Sequence, residues 1–268
     1  MAIESAGKTP EPILLAWSGG KESALALWEL LRASGYSVTL LSTFTEVYNR
    51  ISLHGVREEL VEAQAASLGL PLVKVWIPAG CSNEEYDRRM EETLCGQRLR
   101  GVRRVAFGDV FLADVRAYRE RNLARAGMEG VFPLWGRNTE NLVQTFLEAG
   151  FKAIAVCVDS EALDRSFAGR IYDRGFLADL PSGVDPCGEN GEFHTFVFDG
   201  PNFKVPVGFR KGEIVLRERR FYYCDLLSPG RSEIDLIANK VAAQWSEDGQ
   251  TPASMLQALS EERDRRGS

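Results

Sequence analysis

Between the apolar run Ile13–Trp17 and the helix-like segment Ala24–Leu31, the chain reads Ser18-Gly19-Gly20-Lys21-Glu22-Ser23. This order is typical of a strand, a glycine loop and a helix. Two adjacent glycines allow a tight turn and leave no side chain over the first N–H groups of the helix. Unpaired donors and the positive end of the helix dipole then converge on one place. The stretch therefore predicts a site for phosphate.

The side chains of the loop favour the same ligand. Lys21 supplies a mobile cation, and Ser18 and Ser23 supply hydroxyls for phosphate oxygens or a bound Mg²⁺. The loop is not a G-x-x-x-x-G-K-[ST] element, since that pattern does not fit it. A plain strand-to-helix turn capped by Ser18 is the alternative, because so short a motif recurs by chance.

Composition limits the classes of protein. The chain has 268 residues, of which 44% are hydrophobic, enough for one large α/β domain or a main domain with a smaller partner. Its five cysteines are scattered without a C-x-x-C pair, and the first residues lack a signal-peptide pattern, so we expect a reduced, cytoplasmic protein. No apolar run approaches the ~18 residues that cross a bilayer. The net charge of -6 argues against a nucleic-acid substrate.

Short apolar runs alternate with amphipathic segments along residues 12–159. Continuous apolar runs are typical of strands buried on both faces, so the pattern predicts a doubly wound parallel sheet with ligands at the carboxyl ends of its strands. The predicted strands are Ile13–Trp17, Val38–Phe44, Leu72–Ile77, Val105–Phe107 and Ala153–Val158, and the predicted helices include Val56–Leu68 and Asn83–Leu99.

The pattern changes near residue 160. Glu161–Leu180 is predicted to be an interrupted helix, and the following strands include a hairpin turned at Lys211–Gly212. We therefore expect a smaller C-terminal α+β lobe at 160–228. Residues 229–268 are expected to form a C-terminal helix, Ile234–Trp245, and a charged disordered tail, Glu261–Ser268.

Polar residues also follow the strand Val105–Phe107. Gly108 and Asp109 stand at its carboxyl end, ahead of an Arg-rich helix at 111–121. An aspartate at this position either caps the next helix or reaches into the ligand site. The arginines either form a solvated face with i,i+4 pairs or bind phosphate or carboxylate.

A second polar and glycine-rich stretch precedes the strand at 193–198. It reads Asp185-Pro186-Cys187-Gly188-Glu189-Asn190-Gly191-Glu192-Phe193-His194-Thr195. By chemistry alone, the glycines are turn residues, the glutamates are solvated and Cys187 is a small buried hydrophobe. Glu192 or His194 placed near a substrate is the alternative, because either can accept a proton near neutral pH.

The first stretch resembles the S-G-G-x-D-S loop of the ATP pyrophosphatases, or PP-loop enzymes, of the adenine nucleotide alpha hydrolase-like group, with Glu22 where Asp is usual. The second closely resembles the C-G-E-x-G-E-[FY]-x-T signature of the diphthine ammonia ligase family. Both occur in the family's order, and Phe107-Gly108-Asp109 and Phe132–Trp135 resemble its intermediate elements, so the resemblance spans about residues 12–226.

The resemblance implies a two-lobed enzyme that adenylates a carboxylate with ATP, releases pyrophosphate and lets ammonia displace AMP to form an amide. In the family the carboxylate belongs to diphthine on elongation factor 2. Members acting on diphthine usually carry Glu where this chain has His194. The sequence is thus similar to a bacterial branch for which amidation of a small molecule has been suggested, so the carboxylate is left open.

The resemblance also assigns roles to residues. ATP is expected at Ser18, Gly19, Gly20, Lys21, Glu22, Ser23, Thr43, Phe44, Gly108 and Asp109, with Thr43 and Phe44 beside adenine and Mg²⁺ on Glu22 or Asp109. Lys21, Glu189, Glu192 and His194 are the expected catalytic residues. Substrate contacts are expected from His54, Arg57, Cys187, Gly188, Asn190, Gly191 and Thr195. The expected partners are a carboxylate and free ammonia, with a homodimer as the candidate assembly.

Two other functions use the same scaffold. One is RNA thiolation through Cys187 or Cys157, which the acidic net charge disfavours. The other is a nucleotide sensor that binds ATP without turnover, which the intact Lys21-Glu22-Ser23 set disfavours.

Overall fold

The computed structural model describes residues 9–52 and 54–229, and those up to Leu227 belong to one compact unit. The C-terminal helix Ile234–Trp245 and the tail Glu261–Ser268 that the sequence predicts lie outside the described residues. No helix in the described part of the chain has the length and apolar character to cross a membrane.

The first sheet is mostly parallel. Its strands are β1 Glu11–Ala16, β2 Tyr36–Thr45, β3 Arg50–Ile51, β4 Leu72–Ile77, β5 Arg104–Ala106 and β6 Glu129–Val131. Strands β2, β1, β5 and β6 lie side by side, β4 runs parallel along the other edge of β2, and the short β3 pairs antiparallel with the end of β2. The α/β fold class predicted from the apolar runs is confirmed.

Helices connect these strands and begin at local sequence signals. The helices are α1 Lys21–Arg32, α2 Glu58–Leu68, α3 Asn83–Leu99, α4 Ala113–Arg125, α5 Thr139–Glu148 and α6 Arg174–Ala178. The side chains of Ser82 and Asn138 accept hydrogen bonds from backbone N–H groups at the starts of α3 and α5, while Gly69 ends α2 in the left-handed conformation. The predicted helix at Asn83–Leu99 matches α3 at both ends, and the one at Val56–Leu68 begins two residues later than expected.

The order of the strands creates a switch point between β1 and β5. From β1 the chain crosses by α1 to β2 on one side, and from β5 it crosses by α4 to β6 on the other. The loops at the carboxyl ends of these two strands therefore diverge and leave a crevice, the usual ligand site in open α/β sheets. The loop at 18–20 and the loop at 107–112 border it.

The second sheet is antiparallel, with the order β8-β7-β10-β9. Its strands are β7 Lys152–Asp159, β8 Phe193–Asp199, β9 Arg210–Arg217 and β10 Phe221–Leu227. The expectation that Ala153–Val158 belongs to the parallel sheet is wrong, because β7 pairs antiparallel with β8 and β10. A strand in the middle of an antiparallel sheet, covered on both faces, gives the same continuous apolar run as a parallel strand.

Two further expectations for the second lobe are wrong. Glu161–Leu180 contains only a single 3₁₀ turn at Arg165–Phe167 and the five-residue α6. The hairpin of β9 and β10 turns at Glu218 and Arg219, whose φ angles are 53° and 54°, whereas Lys211 and Gly212 lie inside β9. Two positive φ angles in succession define a type I′ turn, which suits the twist of a hairpin.

Candidate active site

The loop after β1 is folded tightly on itself. Gly19 has a φ of 76°, which favours glycine, and the Gly20 N–H donates to Ser18 Oγ at 3.2 Å. The Ser23 hydroxyl donates to the Gly20 carbonyl at 2.9 Å and lies 3.3 Å from Ser18 Oγ. The sequence prediction of a strand, glycine loop and helix is confirmed. We call residues 18–23 the phosphate loop, after the ligand that the sequence predicts for them.

Lys21 is buried at the first turn of α1. Its Nζ lies 2.8 Å from Glu22 Oε1 and 4.6 Å from the centre of the Phe193 ring. Its side chain also lines a small, nearly apolar cavity of about 10 Å³, which is the space that one water-sized molecule needs. The ammonium group is therefore held between a carboxylate and an aromatic face.

Gly108 lies against the same turn of α1. A Cβ at Gly108 would stand 2.8 Å from the backbone carbon of Glu22 and 2.9 Å from its Cβ. Only glycine allows the loop after β5 to approach this closely. The contact brings the two loops of the switch point together.

Strand β8 of the second sheet closes over the phosphate loop. The Lys21 N–H donates to Thr195 Oγ1 at 3.1 Å, and the Val197 N–H donates to the Gly19 carbonyl at 2.8 Å. Thr195, expected near a substrate, thus contacts the phosphate loop directly.

His54 and His194 form a stacked pair beside this contact. Their ring centres are 4.4 Å apart, with the planes inclined by 24°, and His54 Nδ1 lies 3.3 Å from the Thr195 carbonyl oxygen. Burial and the Lys21 charge lower the pKa of His194 to about 4. Burial, together with His194, lowers the pKa of His54 well below its usual value. Both rings are therefore neutral near pH 7.

Glu189 reaches from the second glycine-rich stretch to the loop after β5. Its Oε1 accepts the Val110 N–H at 2.8 Å. Burial raises the pKa of Glu189 to about 7, and the nearby carboxylates of Glu22 and Asp109 act in the same direction, against the Val110 hydrogen bond and the Lys21 charge. This carboxyl group can both hold and release a proton near neutral pH.

Glu192 is committed to its own loop. Its Oε1 accepts from Asp185 N at 3.1 Å and from Asn190 Nδ2 at 3.0 Å, and its Oε2 accepts from Asn190 N at 3.0 Å. Gly188 turns this loop with a φ of 64°, and a Cβ there would stand 2.7 Å from the Phe193 carbonyl oxygen. Gly191 also has a positive φ, of 92°. The contacts of Glu192 and Asn190 and the φ angles of Gly188 and Gly191 therefore fix the shape of this loop.

Asp109 is paired with the Arg-rich helix. Arg119 lies 2.7 Å from Asp109 Oδ2 and stacks 4.5 Å from the Phe107 ring centre. Asp109 Oδ2 and Glu22 Oε1 are both buried, and each already lies beside a cation, the Arg119 guanidinium at 2.7 Å and the Lys21 ammonium at 2.8 Å, so a metal ion would have to share or displace that partner. Among the described residues, no three His, Cys, Asp or Glu side chains are grouped to hold a metal by themselves. Mg²⁺ fits only if phosphate oxygens supply the remaining ligands, as Mg²⁺ often requires.

Phe44 and Arg57 are engaged elsewhere, whereas Cys187 lines the small cavity beside Lys21 and Glu22. The Phe44 ring is fully buried and packs 5.3 Å from Trp76, so it has no surface for adenine; the Thr43 carbonyl accepts from Ser52 N in the same hairpin. Arg57 forms a bidentate ion pair with Asp225 at 3.1 and 2.7 Å. The Cys187 thiol is buried, 3.5 Å from the Thr139 carbonyl, and burial raises its pKa.

The sequence analysis missed Gln64. This fully buried residue on α2 hydrogen-bonds to the Gly19 carbonyl. Its signal in the sequence is a polar residue on the apolar stripe between Leu60 and Leu68, at i+4 spacing from each.

The molecule is thus an α/β protein with a glycine loop at the switch point of a mostly parallel sheet, completed by a strand of a second, antiparallel sheet. Comparison with known families narrows this class. The family models for the diphthamide synthase N-terminal domain and C-terminal domain match residues 12–130 and 138–226. The chain belongs to the diphthamide synthase family, as the two motifs predicted.

Individual relatives agree with this assignment. A diphthine–ammonia ligase of Bos taurus is 25% identical over 222 residues, covering 74% of this chain and 82% of the relative. One of Danio rerio is 26% identical over 223 residues, covering 74% and 86%. A solved structure described as a predicted subunit of tRNA methyltransferase from Methanocaldococcus jannaschii is 16% identical, with a TM-score of 0.38 over 54% of this chain and 80% of that chain.

Proposed function

We propose that this protein is an ATP-dependent ligase that converts a carboxylate into an amide with ammonia. The observation that carries the proposal is the contact of Thr195 Oγ1 with the Lys21 N–H, which joins the phosphate loop to the loop at 185–195. The phosphate loop lies in the matched N-terminal domain and the loop at 185–195 in the matched C-terminal domain, and the relatives are named diphthine–ammonia ligases.

The first step transfers AMP. An oxygen of the substrate carboxylate attacks the α-phosphorus of ATP, the bond from that phosphorus to the bridging oxygen breaks, and pyrophosphate leaves. The phosphate loop and Lys21 hold the pyrophosphate portion, and positioning and electrostatics supply most of the rate. Mg²⁺ held by Glu22 and Asp109 with phosphate oxygens would neutralise part of the charge on the leaving group.

The second step forms the amide. Ammonia attacks the acyl carbon, the bond to the AMP oxygen breaks, and one proton leaves the nitrogen. Glu192 and His194 are the expected bases, but the expected catalytic residue Glu189 suits this role best, because its pKa is raised to about 7 and its second oxygen is not bound to Val110. Glu192 already accepts three hydrogen bonds, and the neutral His194 ring is stacked on His54.

Diphthine is the acceptor we propose to test first, because the relatives carry it in their names, and the family resemblance places it on elongation factor 2. His194 stands where members acting on diphthine usually carry Glu, so a panel of small carboxylates is the second acceptor set.

The division into an ATP-binding lobe at 12–159 and a substrate lobe at 160–228 stays a prediction. The antiparallel pairing of β7 with β8 favours a boundary between the lobes ahead of Lys152.

Sulfur transfer is the weaker candidate. Burial raises the pKa of Cys157 to about 12 and raises that of Cys187 as well, so both thiols stay protonated near pH 7 and are poor nucleophiles. Replacing each cysteine by Ala should therefore leave turnover intact.

The test is incubation with ATP, Mg²⁺, ammonium and diphthine-bearing elongation factor 2. We expect AMP and pyrophosphate in equal amounts, and the mass decrease in the acceptor that replacement of a hydroxyl by an amino group gives. Formation of ADP and orthophosphate would contradict adenylation. ATP binding without AMP formation, with every acceptor, would favour the nucleotide sensor.

A further inference from the structure

Gln64 on α2 makes three hydrogen bonds in the core. Its Oε1 accepts from Trp17 Nε1 at 3.0 Å, and its Nε2 donates to the Gly19 carbonyl at 3.0 Å and to the Val197 carbonyl at 2.6 Å. The side chain has no exposed surface. One amide thus connects the strand before the phosphate loop, the loop itself and strand β8.

A buried amide needs such partners. Leu60 and Leu68, one helical turn away on either side of Gln64, are buried apolar residues. A leucine at position 64 would complete the apolar face of α2. An amide in an apolar core is unfavourable unless its donors and its acceptor are all bonded. Gln64 is therefore placed here for its hydrogen bonds. The bond that concerns the phosphate loop is the one to the Gly19 carbonyl.

The Gly19 carbonyl fixes the direction of the next N–H group. It accepts from Val197 N at 2.8 Å as well as from Gln64. Because a trans peptide is planar, its N–H points opposite to its C=O. With the Gly19 carbonyl held toward β8 and α2, the Gly20 N–H points away from them, to the side of Ser18 Oγ.

A peptide between two glycines turns over more easily than any other, since neither residue has a Cβ to oppose it. If the peptide joining Gly19 and Gly20 turned over, it would direct a carbonyl oxygen to the place that the N–H now faces. A carbonyl dipole repels a phosphate, whereas an N–H attracts it. The loop therefore needs a restraint on this one peptide.

We propose that Gln64 is a positioning residue for phosphate binding, which holds the Gly19–Gly20 peptide in the orientation that points its N–H away from β8, where an anion would take it over from Ser18 Oγ. The inference rests on the proposed phosphate loop. A Cβ at Gly19 would stand 2.6 Å from Gln64 Oε1, so the amide and the glycine fit each other closely. Gln64 touches no ligand itself and acts through the loop.

The experiment measures the binding of inorganic pyrophosphate and of ATP with Mg²⁺ by calorimetry. Gln64→Leu removes both donated hydrogen bonds, and Gln64→Glu keeps the volume and the bond from Trp17 but faces both carbonyls with an acceptor. We expect both ligands to bind at least about tenfold more weakly to either variant. If Gln64→Leu does not fold, Gln64→Glu carries the test.

The matched control is Trp17→Phe, which removes the third hydrogen bond of the same amide and leaves the two to the carbonyls. Its thermal stability should fall, while its affinity for pyrophosphate should stay within about threefold of the wild-type value. An equal loss of affinity in this control, or wild-type affinity in both Gln64 variants, overturns the inference. A wild-type protein that binds neither ligand would instead refute the phosphate loop itself, and the inference with it.

Discussion

The hydroxyl oxygen of Thr195 lies 3.1 Å from the backbone nitrogen of Lys21 and accepts a hydrogen bond from this N–H at the start of α1. The N-terminus of a helix is where a phosphate oxygen binds most readily. Thr195 thus satisfies, within the protein, a donor that the proposed nucleotide also requires. Binding of the triphosphate and the closing of β8 over the loop are therefore competing uses of one N–H group.

Thr195→Val tests this competition. The variant leaves the Lys21 N–H without an acceptor, so the free energy of unfolding should fall by about 1–2 kcal/mol. ATP with Mg²⁺ should then raise the melting temperature more than in the wild-type protein, because no hydroxyl has to be displaced. Thr145→Val, which removes a hydroxyl bonded to the Asn141 carbonyl, is the control. An equal shift with ATP in Thr195→Val and wild type would contradict competition.

Lys21→Ala tests the phosphate loop. Loss of one charge-assisted contact should weaken ATP binding by about 1–3 kcal/mol, measured by calorimetry. Lys152→Ala removes a lysine from an exposed pair with Asp199 and should leave ATP binding unchanged. Unaltered ATP affinity and turnover in Lys21→Ala would remove the assignment of the loop.

The pH dependence of amide formation tests Glu189. A base acts when deprotonated, so kcat should rise with pH through about 7, where the pKa of Glu189 lies. Glu189→Gln should lower kcat about 100-fold or more and abolish this rise. A variant that kept the same pH profile would show that another group takes the proton.

The same pKa has a consequence for stability. Burial raises the pKa of Glu189 in the folded protein above its value in the unfolded chain, so the folded state binds the proton more tightly. Its contribution to the free energy of unfolding is therefore largest below about pH 4 and falls as the pH rises toward 7. Urea unfolding of Glu189→Gln should lack this decline, which serves as a check independent of activity.

Glu192→Gln tests whether Glu192 shapes its loop. The new NH₂ group would replace one oxygen and face either the Asn190 backbone N–H or the pair of donors from Asp185 N and Asn190 Nδ2, which the carboxylate now accepts. The free energy of unfolding, measured in urea, should fall by about 1–3 kcal/mol. The exposed Glu161→Gln should change it by less than about 0.5 kcal/mol. Unchanged stability together with a large loss of amide formation would return Glu192 to the catalytic residues.

Local patterns were sufficient for most elements of the first sheet. The predicted strand Leu72–Ile77 and helix Asn83–Leu99 coincide with β4 and α3, because apolar runs, caps and breakers are read within a few residues. The same reading could not assign β7 to its sheet, since an apolar run shows burial and not the identity of the partner strand. It also misplaced the β9–β10 turn, because Glu218 and Arg219 adopt positive φ angles without the glycine or asparagine that usually marks them.

The site was predicted less completely for a related reason. The phosphate loop and the loop at 185–195 were identified as motifs, but only the folded chain shows that Thr195 meets Lys21 and that Glu189 meets Val110. Phe44 was expected beside adenine, yet its apolar ring is more stable against Trp76 in the core. Sequence spacing does not distinguish a residue at a strand end that faces the ligand from one that faces the core.

The closure of β8 over the loop also sets an order of events during synthesis. Lys21 and Thr195 are 174 residues apart, so the ribosome makes the loop roughly 9–35 s before the strand that completes it, at about 5–20 residues per second. Until then the nascent chain has the parallel strands β1 and β2 but neither the Val197 N–H nor the Thr195 hydroxyl for the loop. The loop therefore gains these two hydrogen bonds only late in translation, once most of the second half of the chain has been made.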